Sequence, residues 1–429
     1  MIPSFLDELV KAQKQGQKHG VFAVCSAHPW VLKAAMTRAS QEQTFLLVES
    51  TCNQVNQFGG YTGMTPADFA ATMRAAAIKN GLPLERLILG GDHLGPNLWQ
   101  NEPAYSAMEK STDMLRAYVQ AGYTKIHLDA SMKLGGDDPA RPLDLELVAR
   151  RTAWLAKAAE SACADLASEC SPSLRYIIGS EVPIPGGASA HEDSVRVTEV
   201  PDARRTLAAT QTAFAAEGLE SAWERVIALV VQPGVEFGDD FILEYNPEAA
   251  NDLARFAETI PFVYEAHSTD YQTRTHLQEL VRDHFAILKV GPALTFAFRE
   301  AVFALAMLED ELIPPDKRSH LISVLDEVMV SQPKHWQKYY HGEPAARRVQ
   351  RKFSRSDRIR YYWSNPRVQS ALERLLQNLR EKALSPALLS QFMPEQLEKI
   401  RNCQLDAAPE ALILDKINAV LEEYAFACN

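Results

Sequence analysis

The sequence predicts a (β/α)8 barrel followed by a mostly helical C-terminal extension. Three observations point there. Eight short apolar runs alternate with helical segments up to about residue 310. Most of these runs are nearly continuous in apolar residues, as strands buried on both faces must be. Each run also ends in polar or special residues at its C-terminal edge, where barrels of this type carry their active sites. An open doubly wound sheet is the alternative, weakened because no G-x-G-x-x-G follows the first strand.

Residues Ser4–Lys18 read as an opening helix, with Phe5, Leu6, Leu9 and Val10 at helical spacing. The expected strands are Phe22–Ser26, Thr44–Thr51, Leu87–Asp92, Lys125–Asp129, Arg175–Glu181, Val226–Pro233, Pro261–His267 and Phe285–Gly291. A helix over Val31–Ala39 follows the first strand. Further helices are expected over Pro66–Asn80, Tyr105–Ala121, Asp144–Cys163, Pro201–Glu217, Pro247–Thr259 and Thr273–His284, and Leu294–Leu305 follows the eighth strand. The barrel is assigned to residues 1–310 and the extension to residues 311–429. In the extension, helices are expected over Pro314–Val330, Pro366–Arg380, Pro386–Phe392 and Pro409–Tyr424. No low-complexity linker precedes it, so it is expected to pack on the barrel.

Composition bounds the function. Of 429 residues, 46% are hydrophobic and 23% charged, with a net charge of -11. That acidity argues against nucleic acid and anionic membranes as partners. The N-terminus carries Asp7-Glu8 and no long apolar run, so no signal peptide is expected, and no run is long enough to span a membrane. Six scattered cysteines without a CxxC pair suggest a reducing cytoplasm and argue against a thiolate zinc site. Cys25 and Cys52, near strand ends, read as small buried side chains rather than nucleophiles.

The strand ends carry the candidate chemistry. Leu87–Gly91 runs into Asp92-His93 and then Gly95-Pro96. A carboxylate beside an imidazole can hold a metal and move a proton, provided other strands supply more ligands. His267 and Glu181 are the best supplied, and such a set suits Zn2+ or another divalent metal as a Lewis acid. Residues two apart on a strand share a face, so His127 pairs with Asp129 and Glu265 with His267. His127 and Asp129 can orient a ligand or bind it directly. Lys289 suits a Schiff base or a salt bridge to Glu265 or Asp129. The loop after the second strand, with Asn53 and Gln57 among glycines, can approach a polyol or phosphate closely. Glu181–Ala188 forms a second such loop. Gly291-Pro292 opens a helix where barrels often bind phosphate. The stretch Lys334–Trp363, rich in Lys, Arg, Tyr and Trp, reads as a contact for a phosphorylated ligand or an acidic partner, or as solvated arginines. Asp92 and Glu181 are the candidate catalytic residues, and His93, Glu181, His267 and Asp129 the candidate metal ligands. Asn53, Gln57, His127, Gln232, Glu265, Lys289, Gly291 and Arg358 are the candidate substrate contacts.

The assembled strings resemble the GatZ/KbaZ family, the larger, non-catalytic subunit of class II tagatose-1,6-bisphosphate aldolase, and within it the KbaZ branch. They include Ala23–Pro29, Gln57–Met64, Gly90–Asn97, Glu181-Val182-Pro183, Val231–Phe237, Glu265–Tyr271, Lys289–Thr295, Asp357-Arg358 and Tyr361-Tyr362-Trp363. The resemblance implies that Asp92 is a proton-transfer acid and His93 a zinc ligand, with His267 a second. Strand six ends in Gln232 and strand eight in Lys289-Val290-Gly291, so Glu181 or Asp129 would replace a third histidine. It further implies a chain that supports a catalytic class II aldolase subunit in galactitol or N-acetylgalactosamine catabolism. The complex would cleave tagatose 1,6-bisphosphate to dihydroxyacetone phosphate and glyceraldehyde 3-phosphate. The alternative is an autonomous metal-dependent C4-epimerase of fructose, tagatose or their phosphates, acting by retro-aldol and aldol chemistry. A cytoplasmic location and a ketose or ketose-phosphate ligand fit both, and a homo-oligomer is compatible with either. No G-x-x-x-x-G-K-[ST] occurs, so neither a nucleotide cofactor nor a kinase is expected.

Overall fold

The computed structural model describes residues 4–166, 174–179 and 195–429. Its strands are β1 (Val21–Val24), β2 (Leu46–Thr51), β3 (Leu87–Leu94), β4 (Lys125–Leu128), β5 (Arg175–Ile178), β6 (Val226–Val230), β7 (Glu236–Phe237), β8 (Ile242–Leu243), β9 (Val263–Ala266) and β10 (Ile287–Val290). Eight of them close into a parallel barrel in the order β1-β10-β9-β6-β5-β4-β3-β2. This is a TIM barrel, and each expected apolar run with a described core contributes one strand. The unexpected feature is the small antiparallel pair β7–β8 in the loop after β6.

Helices α1 (Phe5–Lys14), α2 (Pro29–Glu42), α3 (Pro66–Lys79), α4 (Ala104–Gln120), α5 (Leu145–Asp165), α6 (Val200–Ala216), α7 (Glu220–Trp223), α8 (Pro247–Ala257), α9 (Arg274–Arg282) and α10 (Pro292–Leu312) accompany the strands. Their starts are written in the sequence. Ser4 with Asp7 and Thr65 with Asp68 form capping boxes for α1 and α3, and Asp144, Asn246 and Thr273 cap α5, α8 and α9. The expected division at residue 310 falls in the last turn of α10.

Inside the barrel, Val21, Ala23, Leu47, Ile177, Ala228, Val230, Val263 and Ile287 form an apolar layer with Leu6 and Leu9 of α1. The opening helix therefore plugs the end of the barrel at which the strands start. Asp7 of the same helix pairs with Arg175, the first residue of β5.

After α10 come α11 (Leu321–Ser331), α12 (Pro344–Phe353), α13 (Pro366–Arg380), α14 (Pro386–Phe392), α15 (Pro394–Arg401) and α16 (Pro409–Cys428). The basic stretch thus contains a helix, α12, that periodicity did not reveal. Helix α16 packs against α2, α9, α10 and β1, so the end of the chain becomes part of the barrel wall. The Gly20 N–H donates to the Cys428 carbonyl at 2.8 Å. The Tyr424 hydroxyl donates to the Thr269 carbonyl at 2.7 Å, and the Thr269 hydroxyl donates to the Lys289 carbonyl at 2.7 Å. The last helix thereby ties the loop after β9 to β10, beside the mouth. Tyr424→Phe removes the shorter of the two hydrogen bonds to that carbonyl, which keeps the Gln272 N–H at 3.3 Å, and is expected to lower the unfolding free energy by about 0.5–1.5 kcal/mol, read by urea titration. A change within about 0.3 kcal/mol of zero would contradict the tie.

Candidate active site

Neighbours on a strand face opposite sides of a sheet, yet Asp92 and His93 both line the mouth. A register shift in β3 between Gly91 and Leu94 reconciles the two. His93 there has φ 49°, a left-handed conformation that costs a non-glycine residue on the order of 1–3 kcal/mol. The flanking glycines make the bulge possible. A Cβ on Gly90 would lie 2.7 Å from the Glu49 Cγ, and one on Gly95 would lie 1.7 Å from the Asp129 carbonyl oxygen.

Below the mouth lies a buried ionic layer. The Lys125 ammonium sits 2.7 Å from a Glu49 oxygen and 2.6 Å from a Glu265 oxygen, with all three side chains at 0% exposure. The Lys289 ammonium pairs with Glu49, with Asp92 at 2.7 Å and with Glu265 at 3.6 Å. Burial alone would push the Lys289 ammonium down, but Asp92 and the other anions around it outweigh that and hold it protonated. A lysine so held is an electrostatic element rather than a Schiff-base nucleophile. Among the described residues its partners are Glu49, Asp92 and Glu265, not Asp129.

Above this layer three imidazoles converge, each with one ring nitrogen held by a carboxylate. His93 Nδ1 lies 2.9 Å from Asp129, His127 Nδ1 lies 2.9 Å from Asp92, and His267 Nε2 lies 3.0 Å from Glu265. The ring centroids are 4.9–5.2 Å apart. The His93 backbone N–H donates to His127 Nδ1 at 3.2 Å, the nitrogen that also faces the Asp92 carboxylate. His127 Nε2 is buried and without a hydrogen-bond partner. One ligand atom from each of Asp92, His93, His127 and His267 lies within 4.8 Å of the others. Carboxylate-anchored imidazoles with a free second nitrogen are what a metal site needs.

Charge agrees with that donor set. Burial pushes the Asp92 carboxyl up, but Lys289, His93 and His127 outweigh it and hold it well below the ordinary range. Burial also raises the Asp129 carboxyl, and the bond from His93 overrides it. Burial lowers His267 to about 3, so it stays neutral. Four carboxylates (Glu49, Asp92, Asp129, Glu265) face two ammonium groups (Lys125, Lys289). Burial pushes the His93 imidazole down, but Asp92 and Asp129 outweigh it and raise it, so the surplus carboxylate charge favours a positive group at this place.

The cluster opens into a cavity of about 490 Å³. Asn53, Asp92, His93, His267, Lys289 and Gly291 of the expected residues line it, and the loop after β2 adds Gln54, Tyr61 and Thr62. The extension forms the roof with Arg360, Tyr361, Trp363, Ser364 and Gln369. His127, Asp129 and Glu265 stand behind the wall, holding the residues that line it. Three candidates point elsewhere. Gln57 donates to the Lys110 carbonyl at 2.8 Å, because its loop turns it outward. The Gln232 side-chain oxygen accepts from the Gly234 and Val235 N–H groups, closing a turn. The Arg358 guanidinium lies over the Tyr339 ring, and Arg360, on the other side of the short helical turn Arg358–Tyr362, faces the cavity instead. Glu181 lies outside the described residues. The expected phosphate site at the start of α10 is occupied internally, since the Gly291 and Ala293 N–H groups donate to Asp270 at 3.0 and 2.8 Å. Sequence reasoning passed over Glu49, Lys125, Asp270 and Arg360. Alternation along β2 and β4 could have found the first two, because a charged residue in a double-faced apolar strand needs a buried partner.

A family profile described as "D-tagatose-1,6-bisphosphate aldolase subunit GatZ/KbaZ-like" matches residues 6–429. The D-tagatose-1,6-bisphosphate aldolase subunit GatZ of Salmonella dublin is 52% identical over 424 residues, 99% of each chain. The GatZ subunit of Salmonella heidelberg is 53% identical over the same span. A solved structure described as a probable tagatose 6 phosphate kinase from Sinorhizobium meliloti 1021 superposes with a TM-score of 0.86 at 43% identity, covering 95% of this chain and 100% of that one.

Two outcomes follow from the site's electrostatics. Lys125→Met leaves Glu49 and Glu265 to share Lys289 with Asp92 in the barrel interior and is expected to cost roughly 3–5 kcal/mol of unfolding free energy in urea; a loss under about 1 kcal/mol would show that the layer does not carry its charges. Burial pushes the Asp270 carboxyl up to about 6. A folded pKa above the unfolded value stabilises the wild type at low pH, and that stabilisation is lost as pH rises through the window from about 4 to 6. Asp270→Asn keeps both backbone contacts without the charge, so its melting temperature relative to wild type is expected to rise across that window. A difference independent of pH would contradict the assignment.

Proposed function

The chain belongs to the D-tagatose-1,6-bisphosphate aldolase subunit GatZ/KbaZ-like family, and from that membership we propose that it is the GatZ/KbaZ-type subunit of a class II tagatose-1,6-bisphosphate aldolase. In that role it binds and stabilises the catalytic subunit. The full-length match to GatZ subunits carries this reading. A cytoplasmic complex serving galactitol or N-acetylgalactosamine catabolism is the setting it implies. No helix among the described residues is long and apolar enough to cross a membrane. The kinase description of the Sinorhizobium relative is not extended to this chain, whose sequence has no phosphate-binding G-x-x-x-x-G-K-[ST] loop.

A second reading has its own observation. A supporting subunit has no need of three carboxylate-anchored imidazoles at a cavity, one with an orphaned nitrogen. They favour an intrinsic, divalent-metal-dependent C4-epimerase of ketoses or ketose phosphates. His93, His127 and His267 would hold the ion, which when bound would supply Lewis-acid polarisation of the ketose carbonyl. C4 of a 2-ketose is not acidic, so inversion there proceeds by cleaving C3–C4, rotating the aldehyde and re-forming the bond. Asp92 is the proton carrier for the C4 hydroxyl: Lys289 and His127 occupy its Oδ1, and Oδ2, 3.9 Å from His93 Nε2, serves the transfer. Lys289 keeps that carboxylate ionised and ready to accept.

One set of assays separates the readings. Purified alone, the chain is expected to bind about one equivalent of zinc and to interconvert fructose and tagatose, or their phosphates, with loss of turnover in chelator. Added to a catalytic class II aldolase subunit, it is expected to raise that subunit's activity and thermal half-life. His127→Ala should abolish zinc binding and epimerisation while sparing the support of the partner. Zinc binding unaffected by His127→Ala would overturn the metal assignment, and no effect on the partner would overturn the subunit reading.

A further inference from the structure

The cavity wall contributed by the extension carries a positive charge that nothing described so far uses. Arg360 lines the cavity, and among the described residues it forms no ion pair with a carboxylate. The two carboxylates its charge acts on are engaged elsewhere: Asp357 with Arg299 at 3.0 Å and with the Thr295 hydroxyl at 2.6 Å, and Asp270 with the Gly291 and Ala293 N–H groups. Arg360 is nonetheless held in place. Its Nη1 donates to the Ser356 and Asp357 carbonyls, its Nη2 donates to the Tyr361 hydroxyl at 3.0 Å, and its guanidinium lies 4.6 Å from the Tyr361 ring centroid. Tyr361 in turn stacks on His335 at 4.7 Å and meets Tyr61 of the β2 loop edge-on at 4.8 Å. A guanidinium fixed in orientation, without a direct ion pair among the described residues and facing a cavity is suited to an oxyanion. Ser364 stands on the same wall with a hydroxyl, beside Gln369, whose amide donates to the Trp363 carbonyl.

We propose that Arg360 recognises an oxyanion, a phosphoryl or a carboxylate group, on the end of a ketose that does not reach the imidazole cluster. This rests on the reading of the cavity as a ketose site, and it makes the extension the part of the chain that selects charged over neutral sugars. The roof then belongs to recognition as well as to packing.

The test is calorimetric binding of D-fructose 6-phosphate, D-fructuronate and D-fructose to the zinc-treated full chain, as wild type, Arg360→Gln and Arg360→Lys. Arg360→Gln is expected to weaken D-fructose 6-phosphate by roughly ten- to a hundredfold while leaving D-fructose within about twofold, and Arg360→Lys to recover part of the loss. Retained D-fructose binding shows that the variant is folded. A loss confined to the phosphate sugar assigns a phosphoryl group, and a loss for the uronate alone or for both charged sugars assigns a carboxylate or either oxyanion. Equal losses for charged and neutral sugars, or no loss for the charged ones, overturn the assignment of Arg360 while the cavity reading stands. Wild type that binds none of the three sugars overturns both, whereas zinc uptake and partner activation report on the proposed function separately.

Discussion

Everything at the mouth of this barrel depends on an ionic layer buried where barrels usually carry apolar side chains. Lys125 and Lys289 bridge Glu49, Asp92 and Glu265, drawn from β2, β3, β4, β9 and β10. Charges at 0% exposure cost several kcal/mol each to desolvate, so the layer persists only because the pairing is reciprocal. It also dictates what can sit above it. Asp92 and Glu265 reach upward from the layer to anchor His127 and His267, and Asp129 does the same for His93 from the end of β4. The surplus of carboxylates favours positive charge at the imidazole cluster.

The extension completes the site. A barrel whose mouth were open to water would screen these charges. Here residues 360–369 roof the cavity, and α16 ties its last turns to the loop after β9. The roof adds Arg360, a second pole of chemistry opposite in character to the imidazoles. A ligand with a carbonyl at one end and an oxyanion at the other would satisfy both poles.

The sequence made the barrel legible because parallel strands buried on both faces leave long apolar runs, and all eight have a described core at the expected place. The strand-end rule brought Asp92, His93, His267, Lys289, Asn53 and Gly291 to the cavity. It could not rank them. His127 is read from sequence as a substrate contact and Asp129 as a metal ligand, whereas the structure places Asp129 on His93 Nδ1 and leaves His127 with the orphaned nitrogen. That exchange depends on the β3 bulge, a backbone event that no side-chain pattern announces. The third imidazole sought on strands six and eight comes from β4. Arg358 and Arg360 are two residues apart in a tight helical turn, where a small rotation decides which faces the cavity, and sequence alone does not carry that rotation. The α12 helix was hidden because burial there does not follow the apolar residues: Val349 and Phe353 are exposed, and Arg351 is its buried residue.

We propose that His93, His127 and His267 form a divalent-metal centre above this layer, and X-ray absorption spectroscopy on the zinc-loaded chain reads it. Multiple scattering from three imidazoles in the zinc environment is expected, falling to two in His127→Ala. A zinc environment dominated by oxygen or sulfur, and unchanged by that substitution, would contradict it.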